Sequence, residues 1–305
     1  MASALSPDVM SIFSAETAPT SAMSTSEEEP PFVVFTTIKD LFEDIGNVAG
    51  DTLVVTQVSP RAFEGIYSAR EAEHRKFRCS LYTAETQMLI ITIPTLYHEA
   101  AHQHLQDEMS FARAAMGLRR DWLYGGSATF KQMAGDTVVT SGEGDSVGGP
   151  KSMRPSEDDW PTLVVEVGFS QTLASLRIKA YWWFSASNYE VKIVLLVKLN
   201  GPKESILIEQ WTAHQPDRHG ATMTRAAATL RPRCIQSITI TRDPTIHDAH
   251  PDRLSNSRYV VQGGPLRLAF TGLFLRQPTP GSMEGDMIIN DETLREIALA
   301  TWRVT

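Results

Sequence analysis

Two groups of residues in this 305-residue chain have types and spacings suited to chemistry. The first is His98-Glu99-Ala100-Ala101-His102. Two histidines one helical turn apart can hold zinc while the glutamate between them activates water. The third ligand such a site needs is not evident. Leu105 and Glu108 stand where one type of zinc peptidase carries glycine and histidine, and Asp107 and Glu108 are too near to be the distant acid of the other type. These histidines are therefore expected to be structural or to serve a different site. The second group is a pair of acids: Asp145 in GEGDSVGGP, and Glu166, the only charge in the apolar run TLVVEVGFS. A buried carboxylate is costly unless it is paired or binds a cation, so an acid in such a run is a functional candidate on physical grounds. Glu143 is an alternative to Asp145, because the two share a face if the strand extends that far.

These residues need elements to position them. Leu105, Met109, Ala112 and Met116 recur at helical spacing, predicting a helix from about Leu96 to Met116 that Gly117 stops. Ala134-Gly135-Asp136 reads as the turn of a hairpin whose second strand ends at Asp145. PTLVVEVGFS is a short buried strand, and Leu173, Leu176, Ala180, Trp183 and Phe184 make one face of the helix after it. VKIVLLVKL and SILIEQW follow as strands, giving the order α, β, β, β, α, β, β from Leu96 to Trp211. Upstream, FVVFTTI, DTLVVTQV, KFRCSLYT and MLIITIP predict a β-rich N-terminal portion interrupted by one helix near Ile38 to Ile45. IINDETLREIALATW reads as a C-terminal helix capped by Asn290 or Asp291.

Composition bounds the rest. An apolar fraction of 42% supports a sizeable core, and 17 Pro with 19 Gly are too few for a low-complexity chain. Cys79 and Cys234 form no CxxC motif, so neither a disulfide scaffold nor a cysteine-rich zinc site is indicated. The N-terminus has no basic segment followed by an apolar one, and no apolar run approaches the roughly 20 residues that span a bilayer. An intracellular protein, cytoplasmic or nuclear and with no membrane partner, is expected. Nothing in the sequence sets an oligomeric state. Residues 1–31 hold no Lys or Arg and five acids, and read as a disordered acidic tail.

The stretch Trp160-Pro161-Thr162-Leu163-Val164-Val165-Glu166-Val167-Gly168-Phe169-Ser170 resembles the PD-(D/E)xK, or restriction-endonuclease-like, superfamily, and within it fungal proteins with a WPTLVVEVG-type strand. The helix ending in Trp182-Trp183, the strand VKIVLLVKL, Ile206 to Trp211, GSAT at 126–129 and Asp145-Ser146 extend the likeness over residues 94–212. It implies an α/β fold with a mixed α+β sheet and a restriction-endonuclease-like core. With the composition, this divides the chain into a disordered acidic tail (1–31), a nuclease-like domain (32–212, core 94–212) and an Arg-rich extension ending in a helix (213–305).

In that superfamily a helix before the hairpin gives an acid, the hairpin an Asp, and the next strand an acid with Lys two residues on. Carried onto this chain, the resemblance assigns Glu99 or His98, Asp145 and Glu166 to these places. Gly168 stands where the lysine would be, and Thr162 where a related bacterial group has an Asp. That group carries its lysine on the following helix, and Lys179 lies thirteen residues after Glu166, in nearly the same place. The resemblance thus implies a metal-dependent nuclease in which Asp145 and Glu166 hold Mg²⁺ or Mn²⁺ and Lys179 orients the attacking water. The missing strand lysine implies a second outcome, a catalytically inactive nuclease-like module that binds nucleic acid or protein.

The net charge of −8 argues against a nucleic-acid partner, but its distribution is uneven. Residues 213–276 hold nine Arg, no Lys and four Asp, and Arg225, Arg231 and Arg233 are candidates for contacting phosphate. His247-Asp248-Ala249-His250, and His214 with His219, read as loop histidines.

Overall fold

The computed structural model describes residues 30–156, 158–215, 230–246 and 255–303. Most of the tail therefore lies outside the described residues, as do Arg225, His219 and the His247 to His250 motif.

The four apolar runs of the N-terminal portion form β1 (Phe32–Val34), β2 (Thr52–Thr56), β3 (Arg78–Thr83) and β4 (Met88–Thr92). Two helices interrupt them instead of one: α1 (Ile38–Asn47) and α2 (Pro60–Ala72). Helix α2 has strong start signals, with Ser59 capping the Ala62 amide and Pro60 in the first turn. Its inward face is short, and one of its buried residues is Arg70, so its apolar periodicity is broken.

Helix α3 (Leu96–Ala115) begins at a Thr95 cap and ends just before Gly117, whose φ of +75° no β-carbon favours. Five strands, not three, separate it from the next helix: β5 (Trp122–Gly126), β6 (Thr129–Ala134), β7 (Thr137–Glu143), β8 (Ser146–Pro150) and β9 (Leu163–Gly168). β6 and β7 are the expected hairpin, turning through Gly135 at φ +61°. The second hairpin strand ends at Glu143, so Asp145 lies in the break where the chain passes from β7 to β8. Helix α4 (Leu173–Ala186), β10 (Ile193–Asn200) and β11 (Ser205–His214) follow as expected.

The C-terminal part contributes β12 (Arg231–Arg242), β13 (Tyr259–Gln262), β14 (Leu266–Leu268), α5 (Phe270–Phe274), β15 (Met287–Ile289) and α6 (Asp291–Trp302). Asn290 caps α6 through the Thr293 amide.

The chain is a mixed α+β protein with two main sheets. One has the order β1-β2-β4-β3-β7-β6, the other β13-β12-β11-β10-β9-β8-β5, and β14 pairs with β15. The β1·β2 and β9·β10 pairs are parallel and the others antiparallel. β7 belongs to the first sheet and β8 to the second, so the Glu143-to-Ser146 passage joins the two.

Alternation along β9 sorts its side chains onto two faces. Leu163, Val165 and Val167 pack with Ala101, Leu105 and Met109 of α3 and with the C-terminal elements. Val164 packs with Leu176, Ala180 and Trp183 of α4. Glu166 shares the α4 face with Val164. No helix among the described residues is long and apolar enough to cross a membrane.

Candidate functional site

Glu166 sits mid-strand on β9, opposite Leu196 of β10, and is 0% exposed. Its Oε1 accepts a hydrogen bond from the Trp183 indole N–H at 2.6 Å, and its Oε2 meets the Lys179 ammonium in an ion pair. Lys179 and Trp183 are one turn apart on α4, so a single helix face delivers both partners. Lys179 is itself only 1% exposed. Burial pushes the Glu166 carboxyl above its usual range, with Asp145 adding to the rise and Lys179 and Trp183 opposing it.

The β8·β9 register pairs Ser146 with Val165, which brings Asp145 to the middle of β9. The Asp145 amide donates to the Val165 carbonyl at 3.1 Å, and its Oδ2 accepts from the Val167 amide at 2.6 Å. Its Oδ1 lies 3.0 Å from Arg78 Nη1 and 3.0 Å from His98 Nε2. Burial alone would raise this carboxyl, but His98, Lys179 and Arg78 outweigh it and hold the group far below the usual carboxylate range.

Arg78 is the first residue of β3, and it bridges two acids: besides Asp145, its Nη2 lies 2.8 Å from Glu99 Oε1. The ring of His102 approaches Glu99 Oε2 at 3.0 Å and Ser146 Oγ at 3.3 Å. Held by His102 and Arg78, the Glu99 carboxyl falls to about 2. His98 is wedged between two carboxylates, with Asp51 Oδ2 at 3.4 Å on its Nδ1 side. Burial disfavours the imidazolium, but Asp145 and Asp51 raise its pKa to about 9, so it is charged at neutral pH. Asp51 in turn accepts from the amides of Phe169 at 2.6 Å and Ser170 at 2.8 Å, closing the end of β9.

The sequence-predicted residues thus fall into two groups. Asp145, Glu166, Lys179, Glu99 and His98 come together in one network, buried except at Glu99, whose side chain is 29% exposed. Glu143 does not join it: its carboxylate receives Arg70, the Thr129 hydroxyl and the Cys79 amide. A side chain at Gly168 would be crowded, because a Cβ there would lie 3.1 Å from Gln171 Cβ and 3.1 Å from Leu176 Cδ1 and both would have to give way. Thr162 is a structural tie, donating its hydroxyl to the Leu273 carbonyl at 2.8 Å.

Asp51 and Arg78 were not anticipated. The signal that marked Glu166, a charge flush against an apolar strand, also marks Asp51 before TLVVT and Arg78 before CSLY.

The histidines of the HExxH pattern do not converge on a ligand position. All four ring nitrogens face Asp51, Asp145, Glu99 or Ser146. Nor do Asp145 and Glu166 fit Mg²⁺ or Mn²⁺ as they are arranged. A hard cation needs oxygen lone pairs directed into a shared space. Here both Asp145 oxygens accept hydrogen bonds or ion pairs, and Glu166 faces an ammonium and an indole N–H. Among the described residues, no group of three or more His, Cys, Asp or Glu is placed to hold a metal ion.

Arg231 and Arg233 are exposed at the start of β12 and, among the described residues, meet no carboxylate within ion-pair distance. Other arginines of the same segment are used internally. Arg258 and Arg242 meet Glu204, Arg267 meets Asp286, and Arg276 meets Glu284.

Compared with known protein families and with curated proteins, the chain matches none.

Proposed function

We propose that this chain is a non-hydrolytic module on a nuclease-like frame, one that binds nucleic acid without cleaving it. A single observation carries this reading: the carboxylates that would hold the cation are buried and already neutralised by Arg78, His98 and Lys179. Hydrolysis would require a phosphodiester and a divalent cation to reach Asp145 and Glu166, which are 2% and 0% exposed. Removing those side-chain cations would leave buried charge uncompensated, which costs several times the worth of a surface ion pair. The network instead acts as a structural keystone, since it ties the residue before β2 to β3, α3, β9 and α4 at one point.

Binding is supported by Arg231 and Arg233, exposed and without an acidic partner among the described residues, whose forked guanidinium groups suit phosphate oxygens. The test incubates the full chain with single- and double-stranded DNA and RNA in Mg²⁺ and Mn²⁺, with calorimetry of the same metals. The expected result is neither cleavage nor metal uptake, together with oligonucleotide binding that weakens with salt and weakens further in Arg231→Gln/Arg233→Gln. Metal-dependent cleavage that disappears in Asp145→Ala and Glu166→Ala would overturn the reading and restore the metal-dependent nuclease.

A further inference from the structure

Another buried cation lies away from this network and, among the described residues, has no counter-charge. Arg113, in the last turn of α3, is 0% exposed, yet no carboxylate among the described residues lies within 4.0 Å of its guanidinium. Its Nη2 donates to the Tyr124 hydroxyl, which in turn reaches Gln106 Oε1 at 3.5 Å, while its Nη1 has no hydrogen-bond partner. Two aromatic rings flank the group, Trp122 with its centroid at 4.8 Å and Tyr124 at 5.1 Å. The indole N–H of Trp122 is a further buried donor without an acceptor. Burial lowers the pKa of Arg113, and only Tyr124 opposes the shift.

Two cation–π contacts offset part of the cost of burying a guanidinium, but they leave its N–H groups unpaired. Buried charges in proteins are paired or bind a counter-ion, and a buried donor without an acceptor is destabilising. The immediate surroundings point to what supplies the acceptor. β5 is the edge strand of its sheet, and Tyr124 on it is half exposed, so one wall of the Arg113 site faces solvent. Arg119 and Arg120, in the turn between α3 and β5, are exposed, and among the described residues neither meets a carboxylate within ion-pair distance. Asp121 in the same turn is occupied by the Ser152 amide and hydroxyl.

We infer that Arg113 is the centre of an oxyanion site for a phosphate group, with Tyr124 as its movable outer wall and Arg119 and Arg120 drawing the ligand in. Guanidinium forks match phosphate oxygens, and an exposed tyrosine ring at the rim gives a base a surface to stack on. The phosphate can belong to a free nucleotide or to a nucleic-acid strand. This site does not rest on the module proposed above, because it shares no residue with Arg231, Arg233 or the carboxylate network.

The experiment follows thermal unfolding of the full chain in inorganic phosphate against chloride of equal ionic strength, with competition by a labelled single-stranded oligonucleotide. A ligand that binds only the folded state raises the midpoint. Wild type is expected to respond to phosphate and Arg113→Gln to lose the response. Tyr124→Phe keeps the ring but frees Nη2, and is expected to bind phosphate several-fold more tightly. If Arg113→Gln does not fold, Tyr124→Phe and Arg119→Gln/Arg120→Gln, which leave the core intact, give the answer in its place, the second by weakening binding. Displacement of phosphate by the oligonucleotide assigns the site to a strand; phosphate binding without displacement assigns it to a free nucleotide or phosphate. An equal phosphate response in wild type and all variants that fold would overturn the inference. Oligonucleotide binding lost with Arg231 and Arg233 but unchanged in Arg113→Gln and Tyr124→Phe, with no phosphate response, would also overturn it and leave the earlier proposal standing.

Discussion

Replacing Lys179 by methionine isolates the electrostatics of the buried network, because the substitution keeps most of the apolar stem and removes the ammonium. Glu166 would then remain 0% exposed with the Trp183 indole as its one remaining partner. Breaking a buried pair by removing one partner costs about 3–5 kcal/mol. The double variant Glu166→Gln/Lys179→Met removes both charges and leaves Gln to accept from Trp183, so it should recover most of that loss. Urea unfolding of wild type, both single variants and the double variant gives the coupling directly.

The same variant has a pH signature. The Glu166 carboxyl is already raised by burial, and losing Lys179 raises it further. An acid whose folded pKa lies above its unfolded value binds more protons when folded, so stability falls as pH rises from the unfolded value to the folded one. The limiting slope for one proton is about 1.4 kcal/mol per pH unit. Lys179→Met should therefore regain stability between neutral pH and about pH 5 relative to wild type. A loss under about 1 kcal/mol in Lys179→Met, or single-variant losses that simply add in the double, would refute the pairing argument.

The remaining predictions concern the same core. Asp51, Asp145 and Glu99 have lowered pKa values, so their contribution is present above their unfolded values near 4 and is lost as pH falls towards the folded ones. Urea midpoints should drop steeply below about pH 4 in wild type, and a flat profile there would count against the network. His98 behaves oppositely: its pKa is raised from 6.5 to about 9, so its contribution is complete below pH 6.5 and fades as pH rises through 9. His98→Gln should remove that alkaline decline in stability. Gly168→Lys, which rebuilds the superfamily motif on paper, should cost about 1–3 kcal/mol through overpacking against Gln171 and Leu176. It should not confer cleavage, and a stable, metal-dependent nuclease from this one change would contradict the crowding seen at that position.

Much of the frame is legible from local pattern. The spacing of Leu105, Met109 and Ala112 places α3, Gly135 places the hairpin turn, and the polar cap Asn290 places the start of α6. Each of these signals acts over a few residues, so the sequence carries it complete. Helix α2 escaped because Arg70 faces inward to meet Glu143, replacing an apolar residue that the periodicity needs. β5 and β8 escaped because their glycines read as turn formers. In β8 the glycine is a packing requirement, since a Cβ at Gly148 would lie 2.4 Å from Trp122 Nε1. That a new strand of the other sheet starts directly after the hairpin was likewise hidden, and it is what sets Asp145 at the junction of two sheets.

By itself, the sequence determined that Glu166 would be a charge inside an apolar strand and that Lys179 would lie on the helix that covers it. Residue type and period suffice for that, because alternation along a strand and the turn of a helix are local properties. Only the tertiary structure decided what neutralises each acid. Arg78 and Asp51 approach Asp145 and His98 across 67 and 47 residues of chain, and Glu143 turns to Arg70 across 73. Electrostatic energy depends on separation in space and on exclusion of water, and neither quantity is written in the order of the residues.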